Sequence, residues 1–295
     1  MTIKHKSFKN PDEALAFLEE LAQDKKYIFR GHSNSEFKLV PSLQRIYNAE
    51  KRPSNFFKKP HDGSFNQITT LLIEKFKNSL AELGLHFDGS SNLEWLEYAR
   101  HCGVPTPVLD FTYSPYIALF FAFDSVYAEY KDDAPDPVPK CENHENCECS
   151  VIYAVNVDEL ANIWTSFSHR YTETYTKETV KSNFLNQPDD FKFEDFQLKF
   201  IPYPSKHNIR IHRQQGCLLY DTITGSSLQK NLDSLLERHR GEYENSPAAF
   251  KIYIPQSYTA SIFKKLNLMG ITARHLYFSA DAVAQDIKNS FNYEI

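Results

Sequence analysis

The sequence predicts an α+β fold, mixed sheets with flanking helices, and three observations predict it. Runs of strand length interleave irregularly with stretches of helical periodicity, unlike the steady alternation of a doubly wound parallel sheet. No segment repeats another, and 9 Gly in 295 residues exclude a Gly-rich array. With 41% of residues apolar and 24% charged, the chain has a globular composition and is long enough to bury a core. The expected organisation is one domain over residues 1–295, broken by an exposed insertion at 131–149.

The first helix is signalled by Asn10 as N-cap, Pro11 at the first helical position, and Ala14, Phe17, Leu18 and Leu21 at helical spacing. Lys26 to Gly31 reads as a short strand ended by Gly, and residues 34–62, with Pro41, Pro53 and Pro60, as a long surface loop. Gln67 to Leu83 reads as a helix with Ile68, Leu71, Leu72, Phe76, Leu80 and Leu83 on one face, and Asn92 to His101 as another. Pro107 to Phe111 is strand-like. Ser114 then caps a helix opened by Pro115 that is apolar nearly all round, and a helix without a polar face is a buried one. Beyond the insertion, strands are expected at 150–155, 198–203, 208–213, 216–221 and 249–254, and helices at 226–238, 258–268 and 279–290.

The formal net charge is −5, and the segment 131–149 alone carries −4, so the remainder is almost neutral. Net charge therefore argues neither for nor against an anionic partner. No stretch approaches the roughly 18–20 apolar residues of a membrane span, and Met1 to Asn10 lacks an apolar signal core. Five Cys, three of them within nine residues, do not make a disulfide framework, which points to a reducing, cytoplasmic setting without a membrane. Cys141, His144, Cys147 and Cys149 resemble a zinc knuckle, but the last pair is spaced more tightly than the usual ligand gap. An exposed Cys-rich loop is the simpler reading, with structural zinc as the alternative.

Three strings could carry chemistry. Arg30 ends a strand, followed by Gly31 and His32; its planar fork can hold a phosphate or carboxylate, or tie the strand to a loop. Asp110, Thr112 and Ser114 stand at the mouth of the apolar helix, where free N–H groups favour an anion and where simple capping would look alike. The run Lys206 to Gly216 is basic and ends in Gln214-Gln215, a candidate positive edge with amides able to read a polar ligand.

Phe29-Arg30-Gly31, the string from His101 through Thr106, Leu109-Asp110-Phe111-Thr112, Ser114-Pro115 and Ala118 to Ala122, then Arg213-Gln214-Gln215-Gly216, together resemble the FRG-domain family. Gly270-Ile271 with Leu276-Tyr277-Phe278 fits the closing segment, so the resemblance spans about residues 12–290. Pro107 stands where the family often has Arg. The motif order is similar to that of ADP-ribosyltransferases, which implies a split sheet and NAD as co-substrate. On that likeness Arg30, with Gly31 and His32, would bind the pyrophosphate or ribose, Thr112 and Ser114 would order the nicotinamide side, and Gln215 would stand near the acceptor. Transferases of this type usually hold a Glu where this chain has Gln214-Gln215, and Asp110 is the candidate substitute. The implied function is transfer to a protein or nucleic-acid acceptor, as in a toxin or anti-phage defence effector. The alternative is a non-catalytic module binding a nucleotide or nucleic acid through the same residues. A nuclease using His32 or His101 as general base is a third reading.

Overall fold

The computed structural model describes residues 3–8, 10–48, 65–124, 126, 148–168, 176–186, 190–195, 197–202, 209–223, 228, 230 and 248–291. The acidic insertion up to residue 147, with Cys141, His144 and Cys147, lies outside the described residues, as does nearly all of the helix expected at 226–238.

Seven strands form one sheet: β1 (Ile3–Ser7), β2 (Tyr27–His32), β3 (Val108–Thr112), β4 (Cys149–Asn156), β5 (Leu198–Ile201), β6 (Gly216–Asp221) and β7 (Ala249–Pro255), in the order β1-β7-β4-β2-β3-β6-β5. Only β1 and β7 run parallel; the other ladders are antiparallel. The sheet is mixed and flanked by helices, as an α+β chain requires. β1 was not foreseen, because its residues after Ile3 are exposed and polar, as befits an edge strand. β4 is buried along its whole length, and its alternation divides the strand between two cores: Ile152 and Ala154 pack on one face of the sheet, Val151, Tyr153 and Val155 on the other.

The helices follow their signals closely. In α1 (Pro11–Gln23), Asn10 accepts the Asp12 amide at 2.8 Å, and Ala14, Leu15, Leu18 and Leu21 are buried. α3 (Asn66–Glu82) buries Ile68, Thr69 and Ile73 but leaves Leu71 and Leu83 exposed, so its inner face is turned from the expected one. The expected loop from residue 34 contains a short α2 (Ser42–Tyr47). α4 (Asn92–His101) opens with a capping box in which Ser91 and Glu94 satisfy each other's backbone amides. α5 (Pro115–Phe123) is capped by Ser114 and is buried almost throughout. α6 (Val157–Ser168) and α7 (Lys177–Leu185) were not anticipated.

The strand expected at 208–213 is instead a helix, α8 (Ile209–Arg213). A strand would put Ile209 and Ile211 on one face, yet Ile209 is exposed and Ile211 is buried, as a 3.6-residue period demands. The chain closes with α9 (Thr259–Leu268), α10 (Ala273–Tyr277) and α11 (Ala280–Ser290). Among the described residues no helix is long and apolar enough to cross a membrane.

One feature of the sheet positions the site. The β2–β3 ladder holds a single pair, Phe29 with Thr112, whereas its neighbours hold six (β2–β4) and five (β3–β6). One face of the sheet carries a core reaching from β4 and β7 across to β5 and β6. On the opposite face the core is divided in two. α1, α5 and α9 cover β2, β4 and β7, while α3 and α4 cover β3 and β6. The division runs along the thin β2–β3 seam.

Candidate functional site

Phe29, Arg30 and Gly31 play three separate parts. Phe29 is fully buried in the core beneath α5. A Cβ on Gly31 would overlap the Ala118 carbonyl oxygen and stand 2.6 Å from the Ala122 amide nitrogen, so Gly31 lets the backbone of α5 settle directly on β2. The close approach is therefore that of a helix.

Arg30 reaches across the seam. Its Nη1 donates to the Asp110 carbonyl oxygen at 2.6 Å, an acceptor that the one-pair ladder does not use. Its Nε donates to His32 Nε2 at 2.8 Å. Burial pushes the Arg30 guanidinium down to about 10, against the pull of Asp110. His32 is held at about 3 by burial and by the Arg30 charge, so it is neutral at physiological pH and its Nε2 lone pair is already taken. That removes His32 as the general base of a nuclease.

The Asp110 carboxylate is gripped by both arms of Arg100, Nε donating to Oδ1 at 2.6 Å and Nη2 to Oδ2. Removal from water would raise this carboxyl; the Arg100 charge and hydrogen bonds, then Arg30, hold it below its ordinary value. Asp110 is thus ionised and spoken for. Thr112 is also committed: its hydroxyl donates to the Gln214 carbonyl at 2.7 Å and accepts the Ser114 amide at 3.0 Å, joining β3 and the start of α5 to the turn before β6. Ser114 is buried and caps α5, its Oγ accepting the Ile117 amide at 3.3 Å.

Gln214 and Gln215 occupy the turn between α8 and β6. Gln215 has φ +46° and an exposed side chain; its carbonyl accepts the Tyr113 amide at 2.9 Å. Gln214 rather than Gln215 lines the cavity with Arg30 and Thr112, and its Nε2 donates to the Leu276 carbonyl at 3.5 Å.

Three chambers with shared lining residues follow one another from the seam outward. An inner one of about 230 Å³ is bounded by Arg30, Asp110, Thr112, Arg210 and Gln214. A middle one of about 290 Å³ adds Glu97, Arg100 and His101, and shares Asp110, Arg210 and Gln214 with the first. An outer one of about 940 Å³ opens between α4, α8, α10 and α11. Arg210 lines all three, with its guanidinium 4.4 Å from the centre of the Tyr277 ring.

The chambers therefore collect Arg30, Gly31, Asp110 and Thr112, while His32 and Ser114 stand behind them and Gln215 outside. Two residues escaped the sequence reading, Glu97 and Arg100, whereas Arg210 belongs to the basic run already singled out. Glu97 is 3% exposed and borders the outer and middle chambers. Its signal was spacing: Leu93, Leu96, Glu97 and Arg100 fall on one helical stripe, which puts an acid and a base on an inward face. Arg210 was expected on a strand edge and stands instead on the helix α8.

Cys149 begins β4 and is buried, and burial raises its thiol to about 11. It is not part of an exposed loop. Among the described residues no group of His, Cys, Asp and Glu is placed to hold a metal ion.

No curated protein and no solved structure matches this chain. The family model of the FRG domain matches residues 25–131, the span that holds β2, α4, β3 and α5 and so supplies Arg30, Glu97, Arg100, Asp110 and Thr112; the chain carries an FRG domain there.

Proposed function

We propose that the seam cavity binds NAD and that the chain is an ADP-ribosyltransferase-like enzyme acting on a protein or nucleic-acid acceptor. The reading is carried by the convergence of Arg30, Arg210 and Gln214 on adjoining chambers that share lining residues at the seam of the sheet. The Arg210 guanidinium suits the pyrophosphate of a dinucleotide and Arg30 the ribose next to it; Arg30 has its Nε and Nη1 already fixed by protein, which orients the rest of the fork at little entropic cost. The outer chamber, about 940 Å³, lies within the roughly 300–1,000 Å³ in which small ligands are held, and the two inner ones, about 290 and 230 Å³, each suit only a part of the ligand.

In the transfer, the bond between the ribose C1′ and the nicotinamide nitrogen breaks, and nicotinamide leaves with the electron pair. Positive charge develops on the ribose ring. The acceptor nucleophile then bonds to C1′ and releases its proton. Asp110, bound by Arg100, is poorly placed to balance the ribose charge. Glu97 is the carboxylate we assign to that role, because it borders the middle chamber that Gln214 also lines. Gln214 fixes the orientation of the ligand by hydrogen bonding.

A non-catalytic nucleotide-binding module is the second reading, favoured by the neutral Gln pair and the locked Asp110. Nicotinamide release separates the two. Purified protein with NAD and cell extract should release nicotinamide, and Glu97→Gln should lower the rate at least about a hundredfold while binding of ADP-ribose persists. Binding without release by the wild-type protein would reject the enzyme and leave the module.

A further inference from the structure

Helix α10 is capped by Phe278, the residue after its last turn, whose backbone has φ +50° and ψ +51°, the left-handed conformation. That position after a helix ordinarily belongs to Gly, because the left-handed turn pushes a Cβ toward the following carbonyl. A bulky aromatic residue is an outlier there. Core packing does not account for it, since the Phe278 side chain is 73% exposed.

The ring has an ordered setting all the same. It forms part of the wall of the outer chamber, and the Arg213 guanidinium lies 4.1 Å from its centre. Arg213 is itself fixed to α10, its Nη1 donating to the His275 carbonyl at 3.3 Å. The preceding ring, Tyr277, carries Arg210 in the same manner at 4.4 Å. Successive aromatic residues thus each hold a guanidinium from α8, and one of those guanidinium groups reaches the chambers where the phosphates were placed.

We infer that Phe278 is a stacking platform for the adenine ring of the bound nucleotide. This rests on the nucleotide-binding reading above and gives the ligand a direction: adenine in the outer chamber on Phe278, pyrophosphate beside Arg210, and the nicotinamide ribose inward toward Arg30 and Gln214. A planar base needs an exposed aromatic face, and the strained backbone at Phe278 delivers one that an ordinary helix end would not.

The test compares Phe278→Gly and Phe278→Tyr with the full-length wild-type chain, by titration calorimetry with ADP-ribose and with inorganic pyrophosphate. Glycine suits the left-handed backbone, so Phe278→Gly should fold and melt a few degrees above the wild type. Its affinity for ADP-ribose should fall about tenfold or more, its pyrophosphate affinity should be unchanged, and Phe278→Tyr should bind ADP-ribose as the wild type does. Unchanged ADP-ribose affinity in Phe278→Gly, an equal loss for pyrophosphate, or a lowered melting temperature would overturn the platform. A wild-type protein that binds neither ligand would reject the nucleotide-binding reading itself, together with the platform that depends on it.

Discussion

Replacing Gly31 by Ala should unfold the junction on which the site is built. The added methyl would overlap the Ala118 carbonyl oxygen and stand 2.6 Å from the Ala122 nitrogen, where ordinary contacts need about 3.5–4.0 Å. Both obstacles are backbone, so no side chain can rotate away and α5 must retreat by roughly 1.5–2 Å. That helix is buried almost throughout, with Phe120, Ala118 and Phe123 at 1% exposure or less, and a retreat loosens its whole packing layer. Overpacking of this kind costs about 3 kcal/mol, at the upper end of the usual range. For a chain of this size that is a fall in melting temperature of about 6–12 °C. Gly84 supplies the comparison: it has φ +67° and open space around it, so Gly84→Ala meets backbone strain alone and should cost about 1 kcal/mol. Urea denaturation of both variants measures the difference. A Gly31→Ala protein as stable as Gly84→Ala would refute the reasoning that Gly31 exists to seat α5.

Other predictions concern ionised groups and the cavity. Arg100→Met leaves the Asp110 carboxylate without its fork; because half of the Asp110 side chain is open, the expected loss is about 1–3 kcal/mol, less than for a fully buried pair. Asp110 is held below its ordinary value in the folded state, so the wild-type advantage over Arg100→Met should be present at pH 7 and fade as the pH falls below about 4, and a pH-independent difference would count against it. Asp221 behaves oppositely. It is 1% exposed with Oδ2 unpartnered, and burial raises it to about 7, so the folded state binds its proton more tightly and loses stability as pH rises from about 4 to 7. Asp221→Asn should therefore stabilise the protein by about 2–4 kcal/mol at pH 8 and by nothing at pH 3.5, as read from denaturation at the two values. Finally, Arg210→Ala, an exposed change at the junction of the chambers, should leave the melting temperature within about 2 °C and weaken ADP-ribose binding at least about tenfold in calorimetry.

Much of the architecture was legible because its signals were local. Asn10-Pro11 and Ser114-Pro115 mark helix starts through capping geometry alone, and both caps form as the residues require. The apolar run in β4 and the buried character of α5 likewise follow from composition. What escaped depends on distant partners. β1 is a strand because β7 offers it an edge, and nothing in its own polar residues announces this. At residues 208–213 the isoleucine spacing fitted a strand, and only the burial of Ile211 under β6 with exposure of Ile209 selects a helix. In the site, Arg30, Asp110 and Thr112 were found by the short polar strings that hold them, although Arg30 and Asp110 lie inside β2 and β3 and not at their ends, and their tasks could not be read from sequence. That Arg100 turns back from the preceding helix to take up Asp110, and that the Thr112 hydroxyl serves the Gln214 carbonyl from a distant part of the chain, are facts of assembly between elements.

Whether the β2–β3 seam holds a nucleotide is decided by a crystal structure of the chain with ADP-ribose. The pyrophosphate should lie within hydrogen-bonding reach of Arg210, with the terminal ribose beside Arg30 and Gln214 and the adenine against Phe278. ADP-ribose bound on another surface, with the three chambers empty, would contradict the account.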